Sequence, residues 1–150
     1  MNPGRRAFLG ALATALGAAA LTRTHAQPRS ATLSGSEWLA IRRTIDNQRK
    51  ALKSGDAKKA FSFASPAIRE QFGSPEGFLA MVRDGYAALL VARYAEFLEG
   101  AVIDGAVIQP LRLVGPDNSV LVALYTMEKQ RDGRWRISGC VLAPSTVQAA

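Results

Sequence analysis

Histidine is all but missing from this 150-residue chain, its single copy being His25. That residue falls in segment 1–26, "MNPGRRAFLGALATALGAAALTRTHA", which reads as a cleavable export signal. Its start is basic, residues 7–21 form an apolar run, and Thr24 and Ala26 stand at the two positions a signal peptidase reads. Cleavage near Ala26 leaves a mature chain without imidazole. This excludes a His-based triad, a histidine proton shuttle and a His-ligated metal, and no metal site or cofactor is expected. Cysteine is equally scarce. With Cys140 alone, no intrachain disulfide can form even in an oxidising compartment, and no Cys follows the apolar run to carry a lipid. Long apolar runs are also lacking: the 15 residues 7–21 are rich in Ala and Gly and fall short of the roughly 20 that span a bilayer. No stable membrane anchor is therefore expected.

A strong charge of one sign disappears with the signal. Arg5, Arg6 and Arg23 leave with it, so 16 basic residues face 12 acidic ones and the formal charge falls from +7 to +4. That balance, with no DNA or RNA motif, argues against a nucleic-acid partner. Arg5 and Arg6, followed by Ala7, Phe8 and Leu9, have the spacing of a twin-arginine signal; an ordinary signal with two arginines is the alternative. The chain is expected in the periplasm or outside the cell.

The rest divides into a polar linker at 27–35, one domain at 36–145 and a tail at 146–150. A domain of this size can bury roughly two-thirds of its unfolded surface. Ser36 is the expected N-cap of a first helix, whose apolar stripe runs Trp38, Ile41, Ile45 and Leu52, with Gln48 at the place of a fifth member. Lys50, Lys53 and Gly55 close it. Asp56 caps a short second helix, stopped by Pro66; "PAIREQFG" adds a further turn, and Ser74-Pro75 opens a third helix ending near Gly85. Apolar runs punctuated by "DG", "GPDN" and "DG" then predict antiparallel strands at 93–103, 106–114, 119–130 and 134–143. The expected fold class is α+β: three N-terminal helices packed on one face of a curved four-stranded antiparallel sheet.

The third of these strands is apolar on both sides, with Val120, Val122 and Leu124 on one and Leu121, Ala123, Tyr125 and Met127 on the other. A strand with one wet face would alternate with polar residues. The helices cover one face, so the outer face is expected to pair with a second copy in a homodimer.

The stretches "QRKALKSGDAKKAFSFASPAIREQFGSPEGFLAMV" and "ALYTMEKQRDGRWRISGCVL" resemble a bacterial family catalogued as domain of unknown function 4864. The resemblance runs over about 37–143. It is carried by Gln48, "GDA" at 55–57, "FASP" at 63–66, "FGS" at 72–74, Tyr125 and "DGRWRISGC" at 132–140. That family is similar to the nuclear transport factor 2-like group, which implies a cone in which a curved sheet wraps helices and leaves a pocket. It implies no reaction.

Four residues are candidates for the pocket: Gln48, Phe63, Tyr125 and Tyr94. Gln48 either orients a ligand at the pocket floor or ties the helix to the backbone of the "FASP" turn, since a buried carboxamide needs partners. Phe63 faces away from Phe61 on a short helix, whereas Phe61 and Phe72 read as core. Cys140 reads as a small buried hydrophobe. Arg112, Arg134 and Arg136 read as a solvated strand face, with an anion-binding stripe as the alternative. Together these features describe an exported module that binds a small ligand or a protein. The alternative is a His-independent acid–base enzyme of isomerase or dehydratase type, pairing Tyr125, Tyr94 or Tyr86 with Asp46, Asp84 or Glu128.

Overall fold

A computed structural model describes residues 32–145. The expected signal with Arg5, Arg6 and Ala26, most of the 27–35 linker and the 146–150 tail lie outside the described residues. Helix α1, Gly35–Lys53, is capped by Ser34 rather than Ser36. The reason is local. Glu37 stands three residues after Ser34; its amide donates to the Ser34 hydroxyl and its carboxylate accepts from the Ser34 amide, a capping box. Three residues after Ser36 comes Leu39, which cannot reciprocate. Ile41, Ile45, Gln48 and Leu52 are buried along one face, as their spacing predicts.

Asp56 caps α2, Ala57–Ser62; Ser65 caps α3, Pro66–Phe72; Ser74 caps α4, Pro75–Gly85, each accepting from a backbone amide three residues on. A short α5, Ala88–Val91, follows without a side-chain cap and was not expected. The strands are β1 Tyr94–Phe97, β2 Ala101–Ile103, β3 Ala106–Val114, β4 Val120–Lys129 and β5 Trp135–Pro144. They form an open antiparallel sheet in the order β1–β3–β4–β5, with β2 beside β3 on the same flank as β1.

Five strands stand where four are predicted because the first is broken between Phe97 and Ala101. Pro110 explains the break. Leu98 lies opposite Pro110 and donates its amide to the Pro110 carbonyl at 3.1 Å, but proline has no N–H to return. The side chain of Gln109 supplies the missing donor: its Nε2 reaches Leu98 O at 2.8 Å and Pro110 O at 2.9 Å. Pairing then resumes one residue out of step, Phe97 facing Leu111 but Ala101 facing Ile108, the signature of a bulge. Gly100 sits inside that bulge against the Trp38 ring. A Cβ there would stand 2.3 Å from the ring, so only glycine fits without movement.

The helices cover the inner sheet face and build two cores. Ile41, Ile45, Leu111, Tyr125 and Trp135 belong to the helix–sheet core. Leu52, Ala60, Phe78 and Val82 belong to a core among the helices, where the Phe61 and Phe72 rings pack against Phe78 at 5.6 and 6.0 Å. One strap joins the two. Ser65 N donates to Ile137 O at 2.8 Å, and Ile137 N donates to Phe63 O at 2.9 Å, so the chain between α2 and α3 hooks onto the free edge of β5. That hook positions the site described next.

Candidate functional site

A cavity of about 200 Å3 opens at the seam between the two cores. From the helices, Gln48, Leu52, Ile68, Phe72, Phe78 and Val82 form its wall; from the sheet come Tyr125, Ile137 and Cys140. Gln48, Leu52, Val82, Leu89 and Tyr125 are buried and make its inner end, while the exposed Gln71 stands on its rim. No residue lining it is charged. Two other depressions, of about 300 and 470 Å3, are surface hollows with exposed residues such as Asp117 and Glu99 in their walls.

Four polar side chains meet the cavity's inner half. Gln48 Nε2 donates to Ala60 O at 3.2 Å, binding α1 to α2 just before the "FASP" turn. Tyr86 donates its hydroxyl to Cys140 O at 3.0 Å. Tyr125 is 1% exposed, and its hydroxyl, itself closed to water, has no hydrogen-bond partner among the described residues. Burial pushes its phenol well above the ordinary value; Cys140 adds to this, Arg49 opposes it and Asp46 adds a little. Burial likewise pushes the Cys140 thiol up to about 12. Both groups are therefore neutral at physiological pH. A general acid or base works best with a pKa near the operating pH, and neither of these groups has one.

The structure brings Gln48 and Tyr125 to one cavity, the first from α1 and the second from β4, and leaves the other two candidates elsewhere. Tyr94 is 51% exposed on β1 and does not line the cavity. Phe63 is half-buried and also stands off the wall; its contribution is the backbone carbonyl that receives Ile137 N. No carboxylate joins Tyr125 in the cavity. Asp46 is partly exposed with Arg49 Nη1 at 3.8 Å, and Asp84 and Glu128 are exposed. Arg112 pairs with Glu96 on the outer sheet face, and Arg134 is exposed.

Three residues carry more of the arrangement than their sequence positions suggest. Gln109 is fully buried and also accepts from Arg42 Nε at 3.2 Å. A proline inside a strand, with an inward amide side chain beside it, is the signal that points to it. Arg49 is 8% exposed, and its Nε has no acceptor among the described residues, although it lies outside the cavity wall. Tyr86 follows Gly85 at the end of α4, which hides that it reaches the sheet. Among the described residues no group of three His, Cys, Asp or Glu side chains is placed to hold a metal ion. No helix among them is long and apolar enough to cross a membrane.

These features define an α+β domain with a small, uncharged, largely apolar cavity between its helices and an open sheet. The family model described as "Domain of unknown function (DUF4864)" matches residues 36–150, and the chain belongs to that family. No curated protein and no solved structure matches it.

Proposed function

We propose that this chain is an exported small-ligand-binding module of the nuclear transport factor 2-like kind, whose ligand sits in the cavity walled by Gln48 and Tyr125. One observation carries the reading: an uncharged, largely apolar cavity of about 200 Å3 at the seam between the two cores, lined by Gln48 from the helices and Tyr125 from the sheet. Native mass spectrometry of protein purified from its own cells is the test. A bound mass that disappears in Met81→Trp, which fills the hollow from its half-buried wall, supports the reading; ligand-free protein in every preparation overturns it.

Export is part of the proposal. Replacing Arg5 and Arg6 by lysines abolishes processing if the signal is of the twin-arginine type, and leaves it intact if the signal is ordinary. The outer sheet face supports a second reading, a protein–protein contact between two copies. Val141 is 61% exposed and lies across from Leu124, itself exposed, with Pro110 beyond it, an apolar row on a face no helix covers. The neighbouring Arg112–Glu96 pair places opposite charges on that same face, which a two-fold axis can match in trans. Sedimentation that shows only monomer across a concentration series removes this reading.

A further inference from the structure

We propose that the cavity takes an uncharged cyclic amide of about one ring's size, a lactam-type molecule whose N–H is received by the side-chain carbonyl of Gln48. The inference rests on the ligand-binding reading above and names the class of ligand.

The orientation of one buried amide leads to it. Gln48 is 3% exposed on α1, and its Nε2 donates to Ala60 O at 3.2 Å. A backbone carbonyl only accepts, so Nε2 must face it and Oε1 is turned the other way. There Oε1 accepts no hydrogen bond among the described residues. Unlike the Tyr125 hydroxyl, it is not one of the partnerless atoms closed to water, so it opens onto the hollow that Gln48 lines. The second Nε2 proton is spare as well. Gln48 thus keeps an acceptor and a donor for something that the protein does not supply.

The rest of the wall cannot use them. Tyr86 donates its hydroxyl to Cys140 O, the Tyr125 hydroxyl is sealed, and Gln71 stands exposed on the rim. The Cys140 thiol is only a weak donor. A ligand that answers Oε1 must therefore bring its own N–H or O–H, and one that also uses the Nε2 proton needs an acceptor beside it. A ring-closed amide carries both, because ring closure holds its N–H and C=O on one edge.

Charge and size narrow the class. No lining residue is charged, so an ammonium, the other strong donor, would lose its water with no counter-ion to replace it. An apolar cavity of about 150 Å3 holds benzene, so about 200 Å3 has room for one ring and a few further heavy atoms. Leu52, Phe72, Phe78 and Val82 offer aliphatic and ring faces for the rest of the molecule.

The test titrates purified wild type and Gln48→Leu, by NMR or calorimetry, with caprolactam, cycloheptanone and azepane. The ketone replaces the lactam N–H by CH2 in a ring of the same size; azepane keeps the nitrogen as a charged ammonium. The ratio of lactam to ketone affinity should fall about tenfold from wild type to variant, a comparison in which the different hydration of the two probes cancels. In wild type the lactam should also shift the Gln48 side-chain amide resonances more than the ketone does, and azepane should bind least. Circular dichroism checks that the variant is folded; Gln48→Met, of similar length, repeats the comparison if it is not. An unchanged ratio while both probes bind would show that water serves Gln48, and the inference falls with the ligand-binding reading intact. Azepane binding tightest overturns the uncharged class. If no probe binds either protein, the ligand-binding reading itself fails along with it.

Discussion

Replacing Gln109 by leucine should destabilise the domain far more than the same change at Gln48, although both are buried glutamines. The structure supplies the reasoning. Gln109 makes three hydrogen bonds, to Leu98 O, to Pro110 O and from Arg42. Pro110 O keeps the Leu98 amide when the side chain is lost, and the half-buried Arg42 can turn to water. Leu98 O has no such recourse, because the residue opposite is a proline. An orphaned, part-buried carbonyl costs up to about 1–3 kcal/mol and each neutral bond about 0.5–1.5, so after the gain from a buried leucine about 2–3 kcal/mol is lost. For a domain of this size that is a fall in Tm of about 10 °C. Gln48→Leu deletes one bond, and Ala60 O retains the Phe63 amide at 3.3 Å, so its cost stays within about 1 kcal/mol. Urea denaturation with unchanged m-values measures both. A decisive addition is Gln109→Leu combined with Pro110→Val, which restores a backbone donor facing Leu98. The pair should recover about 1 kcal/mol or more relative to additivity. If Gln48→Leu costs as much as Gln109→Leu, or the double change shows no coupling, the account of the bulge is wrong.

The Cys140 thiol, pushed up to about 12 from an ordinary 9.0, should be alkylated about a thousandfold more slowly at pH 8 in the folded chain than in urea, from its thiolate fraction alone. A comparable rate in both states refutes the burial argument. The same shift has a consequence for stability. A folded value above the unfolded one leaves stability intact below pH 9 and removes it as pH climbs toward 12, by up to about 4 kcal/mol. Tyr125 adds to the decline above pH 10, so the contribution of Cys140 is read as the difference between wild type and Cys140→Ala across that window. Gly100→Ala should cost about 1–3 kcal/mol and shift tryptophan fluorescence, because the added Cβ displaces the Trp38 ring. An unchanged spectrum and stability would mean that the 98–100 segment moves aside freely.

The helices were legible from their caps. Asp56, Ser65 and Ser74 each precede the helix they cap, and Ile41, Ile45 and Leu52 fall on the buried face that their spacing predicts. The strands were legible from the turns: Gly105 and Gly133 adopt the positive φ that "DG" turns demand, with Asp104 at 49° beside the first. Periodicity could not show the break at 98–100, because it reports which face a residue takes and not whether its backbone partner has an N–H. That information sat in Pro110, on the neighbouring strand. Ser36 was the wrong cap for a related reason. Two serines compete within three residues, and a reciprocal partner, Glu37, selects between them.

The site was half legible. Gln48 and Tyr125 betray themselves as a polar group on an apolar stripe and an aromatic in an apolar strand, and both reach the cavity wall. Phe63 was chosen by the direction of its side chain along a helix, which fixes a face only where the element is regular, and Tyr94 only as one of three tyrosines open to acid–base chemistry. At Phe63 the helix has already ended, and the chain turns so that its carbonyl, not its ring, makes the contact that matters with Ile137. The "FASP" segment is thus a backbone hook rather than an aromatic wall. It follows that changes to the Phe63 ring should disturb the cavity less than a change at Ser65, which is fully buried, bonds to β5 through its amide and caps α3 through its hydroxyl. Ser65 holds α3 against the edge of β5 and so fixes the spacing across the cavity, whose wall Phe72 and Phe78 then line.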